Sequence, residues 1–321
     1  MEFSEIVGSS RARNIIVDGD YAYALLHIDH LVIYDVSNII NPNCENLAKE
    51  NIVGFLPYSS SSPNALVKKG NFVITGDNTG RIRVVDVSDV ANPVSVYYGR
   101  PQGGGSSQVF ELAISDDKNI IGVAFASGVN QTVFIDVSNP LSPTLLKSFN
   151  GSSGGVAFEG SFAYSTFYGS NIANIFDISD KDDITLVNSF PTGIGGLSVP
   201  VQVKNNIVYV SDYSGPETRI FDVTDKQNPQ FLSSITASGK SAFNNGVQID
   251  CDGNFTYFVT SGGIELYNMI DKINPVKVWE VLGILDVGGS VQSAHLSQNR
   301  LWVARRNPDN FEAFALPKAR A

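Results

Sequence analysis

The chain has 321 residues, 43% of them hydrophobic and 17% charged, and a formal net charge of −10. That is enough apolar material for a large core, and the acidic balance excludes a reader of nucleic-acid backbones, which needs a basic face. No apolar run approaches the roughly 18 residues of a membrane-spanning helix, and two cysteines make no disulfide framework.

In chain order, residues 3–8 first read as a short strand. A unit then begins with an extended segment at 14–17, a turn at Asp18-Gly19-Asp20, a strand at 21–25, and a further strand ending in Ile33-Tyr34-Asp35-Val36-Ser37, with Asn41-Pro42 beyond it. The same ending returns as Val84-Val85-Asp86-Val87-Ser88, Phe134-Ile135-Asp136-Val137-Ser138, Ile175-Phe176-Asp177-Ile178-Ser179 and Ile220-Phe221-Asp222-Val223-Thr224. Weaker copies are centred on Asn268 and Ala315. Each ending is followed by another β-rich run, such as 94–98, 144–149 or 230–235. Short runs rich in Val, Ile, Tyr and Phe, punctuated by Gly, Pro, Asn and Asp, are strands. Four strands in a unit of roughly 45 residues is the layout of a propeller blade.

The spacing predicts an all-β, seven-bladed β-propeller of four-stranded antiparallel blades, in one domain spanning residues 1–321. The blades fall near 14–56, 64–99, 109–150, 154–191, 199–237, 245–284 and 291–316. The last unit ends after three strands, so the N-terminal strand 3–8 is expected to complete the last blade and close the ring. The apolar strand ending in Asp-Val-Ser and followed by Asn-Pro resembles the LVIVD-repeat family of β-propellers. That resemblance implies the fold and no particular activity, and it implies an extracytoplasmic or surface setting for many relatives. The first residues lack a basic and apolar leader, so the expectation from the chain as written is a cytoplasmic protein. An extracytoplasmic one is the alternative, if a leader is missing from the sequence.

The recurrent Asp column is read as scaffold, because an Asp before a turn accepts hydrogen bonds from the turn's own N–H groups. Positions that break the repeat are the candidates for function. One column of the first strands reads Ile16, Leu66, Ala113, Ala157, Gln202, Gln248, His295, so three neighbouring blades turn polar. Glu111 and Asn14/Asn64 sit one turn nearer the channel entrance, and Arg13 lies in the loop entering the first strand. The ends of the second strands and the turns after them add His27, Asp29, His30, Asp77, Arg81, Tyr168, Asp212, Tyr213, Glu217, Arg219, Arg305 and Arg306 to the same face. Aromatic and charged residues around a channel mouth suit ligand binding.

No metal site is expected. Only His27 and His30 lie close together among three histidines, and no CxxC occurs. GxSxG and GxxxxGK[ST] are also absent, and no cofactor is expected. Two readings follow. The first is a scaffold that presents one face and the channel mouth to a protein, glycan, peptide or small molecule, with no nucleic-acid partner and no membrane span. The second is a metal-independent enzyme of lyase, hydrolase or cyclase type, with His295, Tyr213, Asp212 and Arg305 as catalytic groups. In it Gln202, Gln248, Arg13, Glu111, His27, Asp77, Tyr168 and Arg306 bind the ligand.

Overall fold

Residues that are β-branched or aromatic on both sides of a strand form sheets covered on both faces. Ile120–Phe125 is buried along its whole length, whereas the outer strand of the same sheet, Thr144–Asn150, is mostly exposed. That gradient from an inner to an outer edge recurs around the protein. The computed structural model describes residues 12–26, 30–38, 45–46, 51–58, 61–103, 107–125, 131–150, 153–167, 169–194, 198–239, 246–249, 252–282, 291–297, 300–305 and 310–315. Every regular element among them is a β-strand.

The strands make four-stranded antiparallel sheets arranged as a propeller. Ala12–Asp18, Tyr21–Leu26, His30–Asp35 and Ile52–Pro57 form the first. Five more begin at Pro63–Lys69, Val109–Ile114, Gly155–Glu159, Ser198–Lys204 and Val247–Ile249, each from four consecutive strands. These six blades are complete in chain order. A seventh sheet holds Val291–Ser297, Arg300–Arg305 and Asn310–Ala315.

The last sheet corrects the expectation of a seventh blade finished by the N-terminal strand. Its fourth position is taken by Glu45–Asn46, which pairs with Ala313 and Glu312. This two-residue piece comes from the stretch between the third and fourth strands of the first blade. The physical reason is the open edge of Asn310–Ala315, whose backbone groups need a partner. The first blade lies beside the last sheet, so a loop from it reaches that edge. Residues 3–8 lie outside the described residues.

The first strands stand side by side around the axis. Ala12–Asp18 lies against both Pro63–Lys69 and Val291–Ser297, so the circle closes. Each junction between neighbouring sheets has its own apolar cluster. Trp302 and Ala304 meet Ala12, Ile15 and Val17 at the closing junction, and Phe134 meets Ala163 and Phe176 at another. Burial of this kind, at about 25 cal/mol per Å² of apolar surface, is what holds sheets face to face.

The Asp column behaves as turn scaffold. Oδ1 of Asp35, Asp86, Asp136, Asp177 and Asp222 accepts the backbone N–H two residues on, from Ser37, Ser88, Ser138, Ser179 and Thr224. Asn268 does the same for Ile270. Burial works against ionisation of Asp136, but hydrogen bonds from Lys181 and Ser138 hold its carboxyl down at about 2. At the adjoining turn of the fifth blade, Asn205 and Asn206 both take positive φ, as a two-residue hairpin turn requires, and the Asn206 carbonyl accepts the Val223 N–H at 2.8 Å.

Candidate binding face and channel

The first strands bring much of the expected inner column together. Ile16, Leu66, Ala113, Ala157 and Gln202 line one cavity of about 200 Å³, with Val67, Leu112, Ile114, Val156 and Phe158. Nine of these ten residues are apolar, leaving Gln202 as the polar one. The surface they present is nonetheless more polar than apolar, because strand backbone as well as Gln202 faces the cavity, and no titratable side chain lines it. In the second blade the residue in register is Val67, not Leu66. Val67 faces Ile74, which pairs with Val84, two before Asp86. Ile16 likewise faces Tyr23, which pairs with Ile33, two before Asp35.

Several of the polar inner residues join neighbouring sheets. His295 donates from Nε2 to the Val17 carbonyl at 3.1 Å. Burial pushes its imidazole down to about 4, against the pull of that carbonyl and of Asp18. At neutral pH the ring is uncharged, with its Nε2–H already engaged. Gln248 accepts from the Leu296 N–H at 2.9 Å and donates to the Val247 carbonyl at 3.1 Å. Arg13 donates to Gln292 at 3.3 Å, and Glu111 accepts from the Val156 N–H at 3.3 Å. Asn14 accepts from Ser293 and donates to the Asn64 carbonyl. Each of these bonds, apart from the one from Gln248 to Val247, crosses a junction, which makes the inner ring stiff.

On the fifth blade, Asp212 accepts from Ser214 N–H and Oγ at 2.8 and 2.7 Å, which caps the turn holding Tyr213. Arg305 ends the strand Arg300–Arg305 and faces Val291 in register. His27, Tyr168 and Arg306 lie outside the described residues. Among the described residues, no three His, Cys, Asp or Glu side chains group as metal ligands.

Asp77 belongs to a cluster that sequence reasoning found only in part. Its Oδ1 accepts from Thr79 N–H, Thr79 Oγ1 and Arg81 N–H at 2.8, 2.8 and 3.0 Å, and its Oδ2 from Tyr98 at 2.9 Å. Asp77 is 3% exposed, so it depends on these bonds. Arg83 lies 4.4 Å from the centre of the Tyr58 ring and 4.1 Å from that of Tyr98. Arg81 lies 5.3 Å from the Tyr98 ring. Arg100 donates to the Thr79 carbonyl at 2.8 Å, and burial raises the Tyr58 hydroxyl to about 12. The signal for Arg83, Tyr98 and Arg100 was the register of the third and fourth strands, which no short motif carries.

Three stretches of the chain, residues 9–46, 65–97 and 124–151, match the LVIVD repeat. This agrees with an LVIVD-repeat β-propeller family, as the Asp-Val-Ser signature implies. No curated protein matches the chain. Among solved structures, the β-propeller domain of Cps50 (Swd1) from Myceliophteria thermophila is similar at a TM-score of 0.73 and 10% identity, covering 96% of this chain and 97% of that one. A chain of the mitotic checkpoint complex is similar at 0.70 and 12% identity, covering 95% and 92%. The computationally designed Ika8 protein follows at 0.63 and 13%, covering 96% of each. At such identities the likeness is one of fold, and this fold hosts unrelated functions. Among the described residues no helix is long and apolar enough to cross a membrane.

Proposed function

We propose that this protein is a binding scaffold, a stiff ring that presents its channel-mouth face to a protein partner. The observation that carries the reading is the use of the polar inner residues. His295, Gln248, Arg13 and Glu111 bond to neighbouring strands, and no titratable side chain lines the cavity beside them. Such a ring is preorganised, which lowers the ordering cost of association. Gln202 in the cavity wall, with Asp212 and Tyr213 at a turn of the same face, would supply polar contacts. A propeller of similar fold is found in the mitotic checkpoint complex, in keeping with a protein partner. A glycan or small molecule at the channel mouth is the other occupant of the same face.

The test places a photo-crosslinking residue at Tyr213, on the proposed face, and in a second variant at Asp89, in a turn at the opposite end of the second blade. The expected result is specific adducts from position 213 and none from position 89. Adducts from 89 alone, or no difference between the two, would overturn the choice of face.

A further inference from the structure

We propose that the second blade carries a phosphate-binding site built from Arg81, Arg83 and Arg100. The third and fourth strands of this blade, Ile82–Asp86 and Val94–Gly99, pair Ile82 with Gly99 and Arg83 with Tyr98. Cross-strand partners share a face, and so do residues two apart. Arg81 and Arg100 flank the Ile82 and Gly99 pair, so both stand on the face that holds Arg83 and Tyr98. The contacts agree: Arg81 and Arg83 share the Tyr98 ring, and Arg81 and Arg100 share Thr79.

Three guanidinium groups face one carboxylate here. Asp77 is occupied by Thr79, the Arg81 backbone and Tyr98. Among the described residues, no carboxylate lies within ion-pair distance of Arg81, Arg83 or Arg100. The cluster thus keeps an excess of about two positive charges in a protein of net charge −10. Like charges opposed across a strand pair are unfavourable, and the Tyr58 and Tyr98 faces offset that only in part.

The donors have capacity to spare. Arg81 makes only two long side-chain contacts, each 3.5 Å, to Thr79 and Tyr98. The Nε atoms of Arg83 and Arg100 are buried without an acceptor, so the terminal Nη groups are the ones an anion would meet. Arg83 uses one towards Ser95 at 3.0 Å and Arg100 one towards the Thr79 carbonyl at 2.8 Å. Planar guanidinium forks match phosphate oxygens two at a time. The charge chooses between anions: a phosphate ester carries −1.5 to −2 near pH 7 and neutralises the excess, whereas a carboxylate leaves about one charge over. Thr79 and Arg81 follow the second strand and Arg100 follows the fourth, so the site opens on the channel-mouth side, with Tyr98 39% exposed. It lies on outer strands, away from the cavity, so it goes beyond the scaffold reading and stands even where nothing docks over the channel.

The experiment is calorimetric titration of the full chain at pH 7.5 and low salt with inorganic phosphate, with acetate, and with a phosphoserine peptide and its unphosphorylated twin. Saturable phosphate binding is expected, with acetate at least tenfold weaker. Arg81→Gln and Arg100→Gln should each weaken it at least tenfold, while Arg219→Gln on the fifth blade leaves it unchanged. Arg81→Lys keeps the charge, loses the fork and should weaken binding by a smaller factor, which covers a poorly folded glutamine variant. A phosphopeptide tenfold tighter than phosphate identifies protein-borne phosphate as the source, and equal affinities identify free phosphate. No saturable binding of phosphate or phosphopeptide, or binding that Arg81→Gln and Arg100→Gln leave intact in folded protein, would overturn the proposal.

Discussion

The second and fifth blades start from the same plan and end with opposite electrostatics. Both end the second strand in an aspartate, Asp77 and Asp212, five residues after its first strand residue, Phe72 and Ile207. Both place an arginine, Arg83 and Arg219, three residues before the signature Asp of the third strand. Two residues earlier they part company. The fifth blade has Glu217, whose carboxylate accepts from Arg219 Nε at 2.8 Å. The second has Arg81, and Tyr98 and Arg100 on the facing strand where the fifth has Ser234 and Thr236. The same backbone position is a neutralised pair in one blade and an open cation in the other. Repeats of one scaffold diverge first where side chains leave the sheet, because the inter-blade cores tolerate little change.

The aspartates should separate the two blades most. Asp77→Ala removes four accepted hydrogen bonds from a buried carboxylate and strands Tyr98 and Thr79, a loss of about 3 kcal/mol. Asp212→Ala removes the bonds from Ser214 N–H and Oγ in a partly exposed turn, and should lose about 1 kcal/mol. Urea unfolding midpoints of the two variants check the gap, and equal losses would mean that Asp77 is no more than a turn cap.

Acid stress adds a background that both blades share. The folded imidazole of His295 is pushed down to about 4 from 6.5, so the unfolded chain binds the extra proton. Stability is then full above about pH 6.5 and falls as the pH drops towards 4. The expected loss between pH 7.5 and pH 5 is about 2 kcal/mol. His295→Gln keeps an N–H for the Val17 carbonyl and should flatten that part of the pH profile. An unchanged profile in the variant would show that the ring is protonated without cost. Comparisons between the second and fifth blades are sharpest at pH 7.5, where this contribution is silent.

The repeat was legible because turn chemistry marked it: in five units an Asp accepts from a Ser or Thr two residues on, and in the sixth Asn268 does the same for Ile270. The phase of the second blade's inner strand was not, since Leu66 and Val67 are both buried and the run shows no alternation to mark which one faces Ile74. The closing strand was hidden for a related reason. Glu45–Asn46 makes only a two-residue pairing and has no β-rich run around it. Gln248 and His295 were visible as breaks in the repeat, but whether a polar inner residue meets a ligand or the next blade depends on the neighbour, which a single strand's sequence does not contain. Asp77 and Arg81 stood out as turn residues, whereas Arg100 joined them only through the pairing of Ile82 with Gly99.

Exchanging the distinguishing residue tests the comparison in both directions. Glu217→Arg gives the fifth blade the arginine pair of the second, with Ser234 and Thr236 still in place of Tyr98 and Arg100. It removes the partly exposed pair with Arg219 and sets two guanidinium groups two residues apart, which should cost about 1 kcal/mol. Arg81→Glu gives Arg83 a carboxylate at the spacing found in the fifth blade, and should change stability by no more than about 0.5 kcal/mol, in the favourable direction. The two exchanges differ more in what salt does to them. The Glu217→Arg protein should regain part of its loss as phosphate is added, because an anion bound only by the folded state stabilises it. The Arg81→Glu protein should melt at the same temperature with and without phosphate. Thermal melts in phosphate and in chloride at equal ionic strength separate specific binding from screening. Should Glu217→Arg respond to both salts alike, the fifth blade lacks something that the second has. Tyr58, Tyr98 and Arg100 are then the residues to transplant next.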